Sequence, residues 1–464
     1  MTRDPFSTTR RGLLAGAAAL AAAPGLVQAA AEQTTDLDAR QRHVADAPVG
    51  GGTSSQDKVS PHGDHQAGIV TPRPANGLVA SFHLLADDPA SLERLFRRLT
   101  ERIEILTAGG ALPEVDPKLP PPDSGILGPV VPPDALTITA ALGASAFDER
   151  PWLAPLKPRV LQRMVKFHND ALNADLCHGD LMLQVCAHTQ DTCVHALRDI
   201  VKNLPDQMVL KWAQAGNVPV LPPHPGAAPE SARNLLGFRD GSANPDSADA
   251  ATMSRVVWVG PENREPAWAT NGSYVAVRII RNLVERWDRT PLGEQERIMG
   301  RMKMSGAPLD QPDATEAAVP DFAADPDGAK TPLNSHIRLA NPRTPETQSN
   351  LMLRRPFNYV NGVLKNGQLD QGLLFIAWQA DLEKSFITVQ NRLDTEPLEE
   401  YIKPVGGGYF FALPGFAEGD YLGSSLIAAI SPTSQTASGP APSGPTPSSQ
   451  PVPSAPVPNR ASNP

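Results

Sequence analysis

A strand, a helix, two strands, a second helix and a closing strand follow one another from Gly77 to Ala213, and a similar order returns from Tyr274 to Leu413. That repetition predicts an α+β fold made of two similar halves. A local echo supports it: Leu181-Met182-Leu183-Gln184-Val185 and its helix match Leu373-Leu374-Phe375-Ile376-Ala377 and its helix. Each half is expected to be an antiparallel sheet with helices on one face, the split βαβ arrangement of ferredoxin-like folds.

The elements follow in order. Gly77 to Leu85 is rich in Val, Leu and Phe and reads as a strand. After Asp88-Pro89, apolar residues at Leu92, Leu95, Phe96, Leu99, Ile103 and Leu106 keep helical spacing on one face. Asp87 or Asp88 can cap this helix, with Pro89 in its first turn. Ala135 to Leu142 and Asp180 to Ala187 read as strands, a helix aligns Val194, Leu197, Val201 and Leu204, and Gln207 to Ala213 closes the half. In the second half Tyr274 to Ile280 is a strand, followed by helical sequence through Met302. Gly372 to Trp378 is the next strand, a helix aligns Leu382, Phe386, Val389 and Leu393, and Tyr409 to Leu413 is the last strand.

The ends read differently. Thr8-Thr9-Arg10-Arg11-Gly12-Leu13-Leu14 leads into an Ala/Leu-rich stretch too short for a membrane span of about 20 residues. Ala29-Ala30-Ala31 offers a cleavage site, so residues 1–31 read as a twin-arginine signal peptide. Residues 32–73 are polar, with Gly50-Gly51-Gly52 and Ser54-Ser55, and read as a flexible leader. The halves then occupy 74–235 and 236–430. Residues 431–464 hold Pro, Ser, Ala, Gly and Thr with one charge at Arg460; a disordered tail is expected, because such a segment has too little apolar area to offset its ordering entropy.

Over all 464 residues the net charge is −9, with no basic excess to suggest nucleic-acid binding. Three cysteines cannot form a disulfide framework. Cys177, His178, Cys186, His188, Cys193 and His195 crowd one stretch, yet their spacings match no zinc pattern, and small buried cysteines explain them better.

Three other stretches invite a functional reading. Asn234-Leu235-Leu236-Gly237-Phe238-Arg239-Asp240-Gly241-Ser242-Ala243-Asn244-Pro245 has the Asp-Gly and Asn-Pro pairs of tight turns. Asn334-Ser335-His336-Ile337-Arg338-Leu339-Ala340-Asn341-Pro342-Arg343 carries a lone histidine, and Leu353-Arg354-Arg355-Pro356-Phe357-Asn358-Tyr359 carries adjacent arginines. Each alone is explained by a loop or by packing.

Together, and with Gly406-Gly407-Gly408-Tyr409-Phe410-Phe411, they are specific. Over roughly residues 75–425 the sequence resembles the dye-decolorising peroxidases, in particular their secreted deferrochelatase/peroxidase subgroup. The resemblance implies two ferredoxin-like halves holding one haem b per chain. It implies His336 as the iron ligand, supported by Glu399 or Glu400, with Asp240 as the acid–base residue and Arg354 as the arginine on the opposite side. It implies that Gly241, Ser242 and Ala243 line the haem, and that Asn341, Pro342 and Arg343 meet its propionates. Hydrogen peroxide and a reducing substrate, or haem itself, are the implied partners. Release of iron from haem with the porphyrin intact, a homodimer, iron-uptake permease components and a periplasmic or secreted location follow from the subgroup. Two rival readings are a haem carrier without turnover, which needs His336 but neither Asp240 nor Arg354, and an iron-free binding protein on the same scaffold. Tyr359, Trp378 and Tyr401 are candidate electron relays, though aromatic residues in such segments more often pack a core.

Overall fold

The computed structural model describes residues 54–219 and 230–430. The signal peptide, most of the leader and the Pro/Ser tail fall outside them. The N-terminal half contains β1 (Asn76–Leu84), α1 (Pro89–Ala108), β2 (Thr137–Gly143), β3 (Leu181–Ala187), α2 (Gln190–Asn203) and β4 (Met208–Asn217). The C-terminal half contains β5 (Ser273–Asn282), α3 (Leu292–Met299), α4 (His336–Ala340), β6 (Phe357–Val363), β7 (Leu369–Gln379), α5 (Thr388–Arg392), β8 (Ile402–Ala412) and α6 (Ser424–Ile430).

The duplication is visible in the sheet order. Pairing runs β2-β3-β1-β4 in the first half and β6-β7-β5-β8 in the second, the same order of first, second, third and fourth strand. The two sheets join where Phe411 of β8 pairs with Leu142 of β2 and where Asn217 of β4 pairs with Asn358 of β6. The circuit therefore closes, which leaves each half few free edges.

Alternation along the strands creates two apolar layers. Val79, Met182, Cys186, Val275, Val277, Leu374, Ile376 and Phe410 point between the sheets and pack together. Leu78, Ala80, Phe82, Leu181, Leu183 and Val185 point outward, under α1 and α2. Helix α1 starts where expected: the Asp88 carboxylate accepts the Ser91 amide at 2.7 Å, and the Ser91 hydroxyl accepts the Asp88 amide at 3.2 Å. Its Leu92, Leu95, Phe96, Leu99 and Ile103 are buried. Arg102 holds α2 through a two-pronged pair with Asp199, at 2.7 and 2.8 Å.

Two features differ from the sequence reading. Residues 54–73, assigned there to a flexible leader, pack against the body. The Gln66 amide donates to the carbonyls of Ala140 and Leu413 at 2.8 and 2.7 Å and accepts from the Ala140 amide at 2.8 Å, stitching β2 to the segment after β8. His65 stacks on Trp258 with ring centroids 3.7 Å apart. The second half also has a strand, β6, that the apolar pattern did not reveal. The three cysteines are buried and free; Cys193 donates to the Val185 carbonyl.

Candidate active site

The outer face of the C-terminal sheet is incompletely covered. A cavity there is walled by Ile280 of β5, Leu373 and Phe375 of β7, and Phe386, Val389 and Leu393 from the segment around α5. Its backing helix begins with wide turns, the Ile387 amide reaching the Leu382 carbonyl at 3.1 Å, before continuing as α5.

His336 opens α4 on one wall. Arg338 anchors this short helix by donating to the carbonyls of Thr331 and Asp325 at 2.9 and 2.7 Å. Arg392 caps its other end, donating to the carbonyls of Leu339 and Ala340 at 3.1 and 3.0 Å. The imidazole Nδ1 lies 2.8 and 3.1 Å from the two carboxylate oxygens of Glu396. With Nδ1 so engaged, Nε2 is the nitrogen left to a ligand. Burial alone lowers the pKa of His336, but the charge and hydrogen bond of Glu396 outweigh it, and the net shift is upward.

Glu396 corrects the expectation of Glu399 or Glu400 as the partner. Glu396 directly precedes the tight turn Pro397–Glu400, which sends the next two carboxylates elsewhere. Glu399 approaches His168 at 3.8 Å, and Glu400 meets Arg286 at the surface at 3.2 Å. The Glu399 carboxyl is raised by burial and by its neighbours Asp394 and Glu396.

The opposite wall is the loop 231–245. Asn234 nucleates it, its side-chain oxygen accepting the amides of Leu236 and Phe238 at 3.1 and 3.2 Å. Gly237 adopts φ +87°, a left-handed conformation that favours glycine. Arg233 ties the loop down by donating to the carbonyls of Gly237 and Lys303. Ala243 sits at φ +63°, a left-handed position uncommon for a residue with a Cβ.

Arg354 bridges loop and sheet. Its backbone pairs with Ala377 of β7, and its Nη1 and Nη2 donate to the carbonyls of Asp240 and Ser242 at 3.1 and 3.0 Å. Nη1 also stands 4.0 Å from an Asp240 carboxylate oxygen. Asn244 completes the clasp: its side-chain oxygen accepts the Arg354 amide at 2.9 Å and its nitrogen donates to the Arg354 carbonyl at 3.0 Å.

One cavity is thus lined by His336 and Asn341 with Arg343, and by Asp240, Ser242 and Ala243 with Arg354. Gly241 and Pro342 sit between lining neighbours without lining it themselves. Arg301, which the sequence reading missed, joins Arg343 and Arg354 there. Burial and the nearby Arg343 push Arg301 down to about 10, and burial also lowers Arg343. The Arg343 Nε is buried with no hydrogen-bond partner. Tyr359 and Trp378 are buried between the sheets rather than at the cavity, and Tyr401 packs edge-on against Trp287 at 4.9 Å.

The family comparisons agree with this geometry. Residues 66–217 match the family described as Dyp-type peroxidase, N-terminal, and residues 231–417 match Dyp-type peroxidase, C-terminal. The chain belongs to the Dyp-type peroxidases. It is 53% identical over 427 residues to a deferrochelatase of Escherichia coli, covering 90% of this chain and 97% of that one. A DyP-type peroxidase from Streptomyces coelicolor superposes with a TM-score of 0.72 at 34% identity, over 81% of this chain and 99% of the other. Ferric DtpA from Streptomyces lividans gives 0.71 at 34% identity, over 80% and 98%. The protein is therefore an enzyme, a haem-dependent Dyp-type peroxidase, and its cofactor is haem b.

The residues present fit that cofactor. Apolar walls suit a porphyrin face. An imidazole with one nitrogen engaged leaves the other free to hold iron. The guanidiniums of Arg301 and Arg343, the latter with an orphaned buried Nε, suit propionate carboxylates.

Proposed function

We propose that this Dyp-type peroxidase reduces hydrogen peroxide in the cavity with His336 as iron ligand, Asp240 as proton carrier and Arg354 as charge stabiliser. The observation that carries the reading is the opposition of two walls: an imidazole tied through Nδ1 to Glu396 on one, a carboxylate beside a guanidinium on the other. Haem b held by these residues would supply the redox chemistry, exchanging electrons with peroxide and a donor.

The protein's part follows from charge and position. Glu396 accepts the Nδ1 hydrogen, fixes the tautomer and strengthens Nε2 as a donor to iron. Asp240 takes a proton from one oxygen of peroxide and returns it to the other, which leaves as water. Arg354 is fixed by two main-chain carbonyls, so it stabilises the negative charge on the departing oxygen without first reorganising. Asn341 and Arg343 seat the propionates, and Ser242 and Ala243 flank the porphyrin, while Pro342 and Gly241 shape the backbone between them.

The test is peroxide-dependent donor oxidation by Asp240→Asn at full haem occupancy. A rate about 10²- to 10⁴-fold lower supports the assignment; an unchanged rate overturns Asp240 as the proton carrier.

Release of iron from haem with the porphyrin left intact is a second activity, supported by relatives named deferrochelatase. Chromatography of haem incubated with the protein and a reductant tests it: free porphyrin supports the activity, and intact haem or an opened ring contradicts it. Arg10-Arg11 and the apolar stretch after them support export by the twin-arginine route to the periplasm or beyond. Among the described residues no helix is long and apolar enough to cross a membrane. A homodimer and contact with iron-uptake permease components rest on the subgroup resemblance.

A further inference from the structure

Where the connection between β2 and β3 passes the loop after α5, three potential metal ligands converge at the rim of the haem cavity, which Glu399 also lines and His168 and Asp394 do not. His168 Nδ1 lies 4.0 Å from Asp394 Oδ1 and 3.8 Å from Glu399 Oε2. One ligand atom from each residue falls within 4.8 Å of the others. We propose that His168, Asp394 and Glu399 form a site for one divalent first-row cation of the Mn2+ or Fe2+ type.

Spacing is the first argument. The three side chains face one another at distances too long for hydrogen bonds. Metal–ligand bonds of about 2.0–2.2 Å place two ligands of one ion about 3–4 Å apart, so small side-chain adjustments suffice. Charge is the second. Two carboxylates face a single imidazole, and among the described residues their ion pairs are with His168 alone. The neighbouring cations are engaged elsewhere: Lys403 bonds the Asn169 side chain, and Arg278 pairs with buried Asp170. The adjacent Glu396 belongs to His336 and adds negative charge.

Rigidity is the third argument. The Asn169 amide donates to the Ile402 carbonyl at 2.9 Å, and the Asp170 carboxylate accepts the Phe167 amide at 3.0 Å. The backbone carrying His168 is thereby pinned to β8, while its side chain, 71% exposed, is free to turn onto an ion. Glu399, only 15% exposed, supplies the fixed inner ligand. One nitrogen and carboxylate oxygens, with no thiolate, suit Mn2+ or Fe2+. The halves contribute jointly, since His168 comes from the first and both carboxylates from the second.

This site stands apart from the peroxidase assignment and is tested separately. The haem-loaded protein is titrated with Mn2+ alone, and free Mn2+ is followed by its six-line electron paramagnetic resonance signal. One Mn2+ per chain is expected for the native protein. The double variant His168→Ala/Asp394→Asn, which alters exposed side chains, should bind it at least tenfold more weakly while keeping its Soret band and peroxide turnover. Superimposable titrations of the two proteins, or no uptake by the native one, would overturn the site.

Discussion

In the N-terminal half, the twenty-residue α1 lays Leu92, Leu95, Phe96 and Leu99 over the outward side chains of β1 and β3, with α2 beside it. The corresponding face of the C-terminal half has no such cover. The chain after β5 forms a four-residue helix, Val284–Trp287, and the eight-residue α3, and these pack with Phe238, Leu398 and Tyr401 in a cluster of their own. The outward residues Ile280, Leu373 and Phe375 are left lining a cavity, and buried Arg278 stands where the first half uses apolar side chains. The same strand order thus yields a packed core in one copy and a binding site in the other. The helices after β5 are short in the second copy, and a sheet face that a helix does not bury must be buried by something else.

The contrast predicts different responses in the two halves. The largest effect is expected for His336→Ala, which removes the proposed ligand from the open half: peroxide turnover at saturating haem should fall to background, a loss of about 10⁴-fold or more by stopped-flow assay. Arg354→Leu should follow, with a decrease of about 10²- to 10³-fold in the turnover number at full haem occupancy. Glu396→Gln leaves the ligand in place but weakens its support; haem affinity or turnover should drop about 10- to 100-fold, while Glu400→Gln changes neither. In the covered half, Leu99→Ala empties a fully buried position. It should cost about 2–5 kcal/mol in chemical denaturation while leaving the turnover of the folded, haem-loaded protein unchanged. A Leu99→Ala enzyme that folds normally yet loses turnover would erase the distinction between the halves.

Much of this division was legible in the residues. Strands β1, β3 and β5 are buried on both faces over most of their length, and β7 carries apolar side chains on both, one set against the core and the other along the cavity, so each reads as a continuous apolar run. Helix α1 announces itself through Asp88-Pro89 and its apolar spacing. Strand β6 was hidden because only Phe357, Asn358 and Tyr359 are buried, and Val360-Asn361-Gly362-Val363 runs exposed along a hairpin. The first part of β8 was hidden by Pro404 and three glycines. It is held from outside: carbonyls of Pro404, Val405 and Gly407 accept the amides of Ala171, Asn173 and His178 from the other half. The same reason explains the order of residues 54–73, whose polar side chains are satisfied by distant backbone rather than by a local pattern.

At the site, His336, Asp240 and Arg354 were found through motif order, and the structure brings them to one cavity. Glu396 was missed because nothing in Thr395-Glu396-Pro397 marks it over its acidic neighbours; the turn at Pro397 makes the choice. Asn244 was read as part of a turn, and its double hydrogen bond to the Arg354 backbone depends on a contact between distant segments. Arg301 carries no local signal, since its importance lies in sharing a cavity with Arg343 and Arg354.

The central claim, that haem iron is held through His336 in the open half, is tested most directly by the visible spectrum of haem-loaded His336→Gly with and without added imidazole. The account predicts a Soret band displaced from that of the native protein and restored when imidazole occupies the vacated position. A spectrum identical to native before imidazole is added would contradict it.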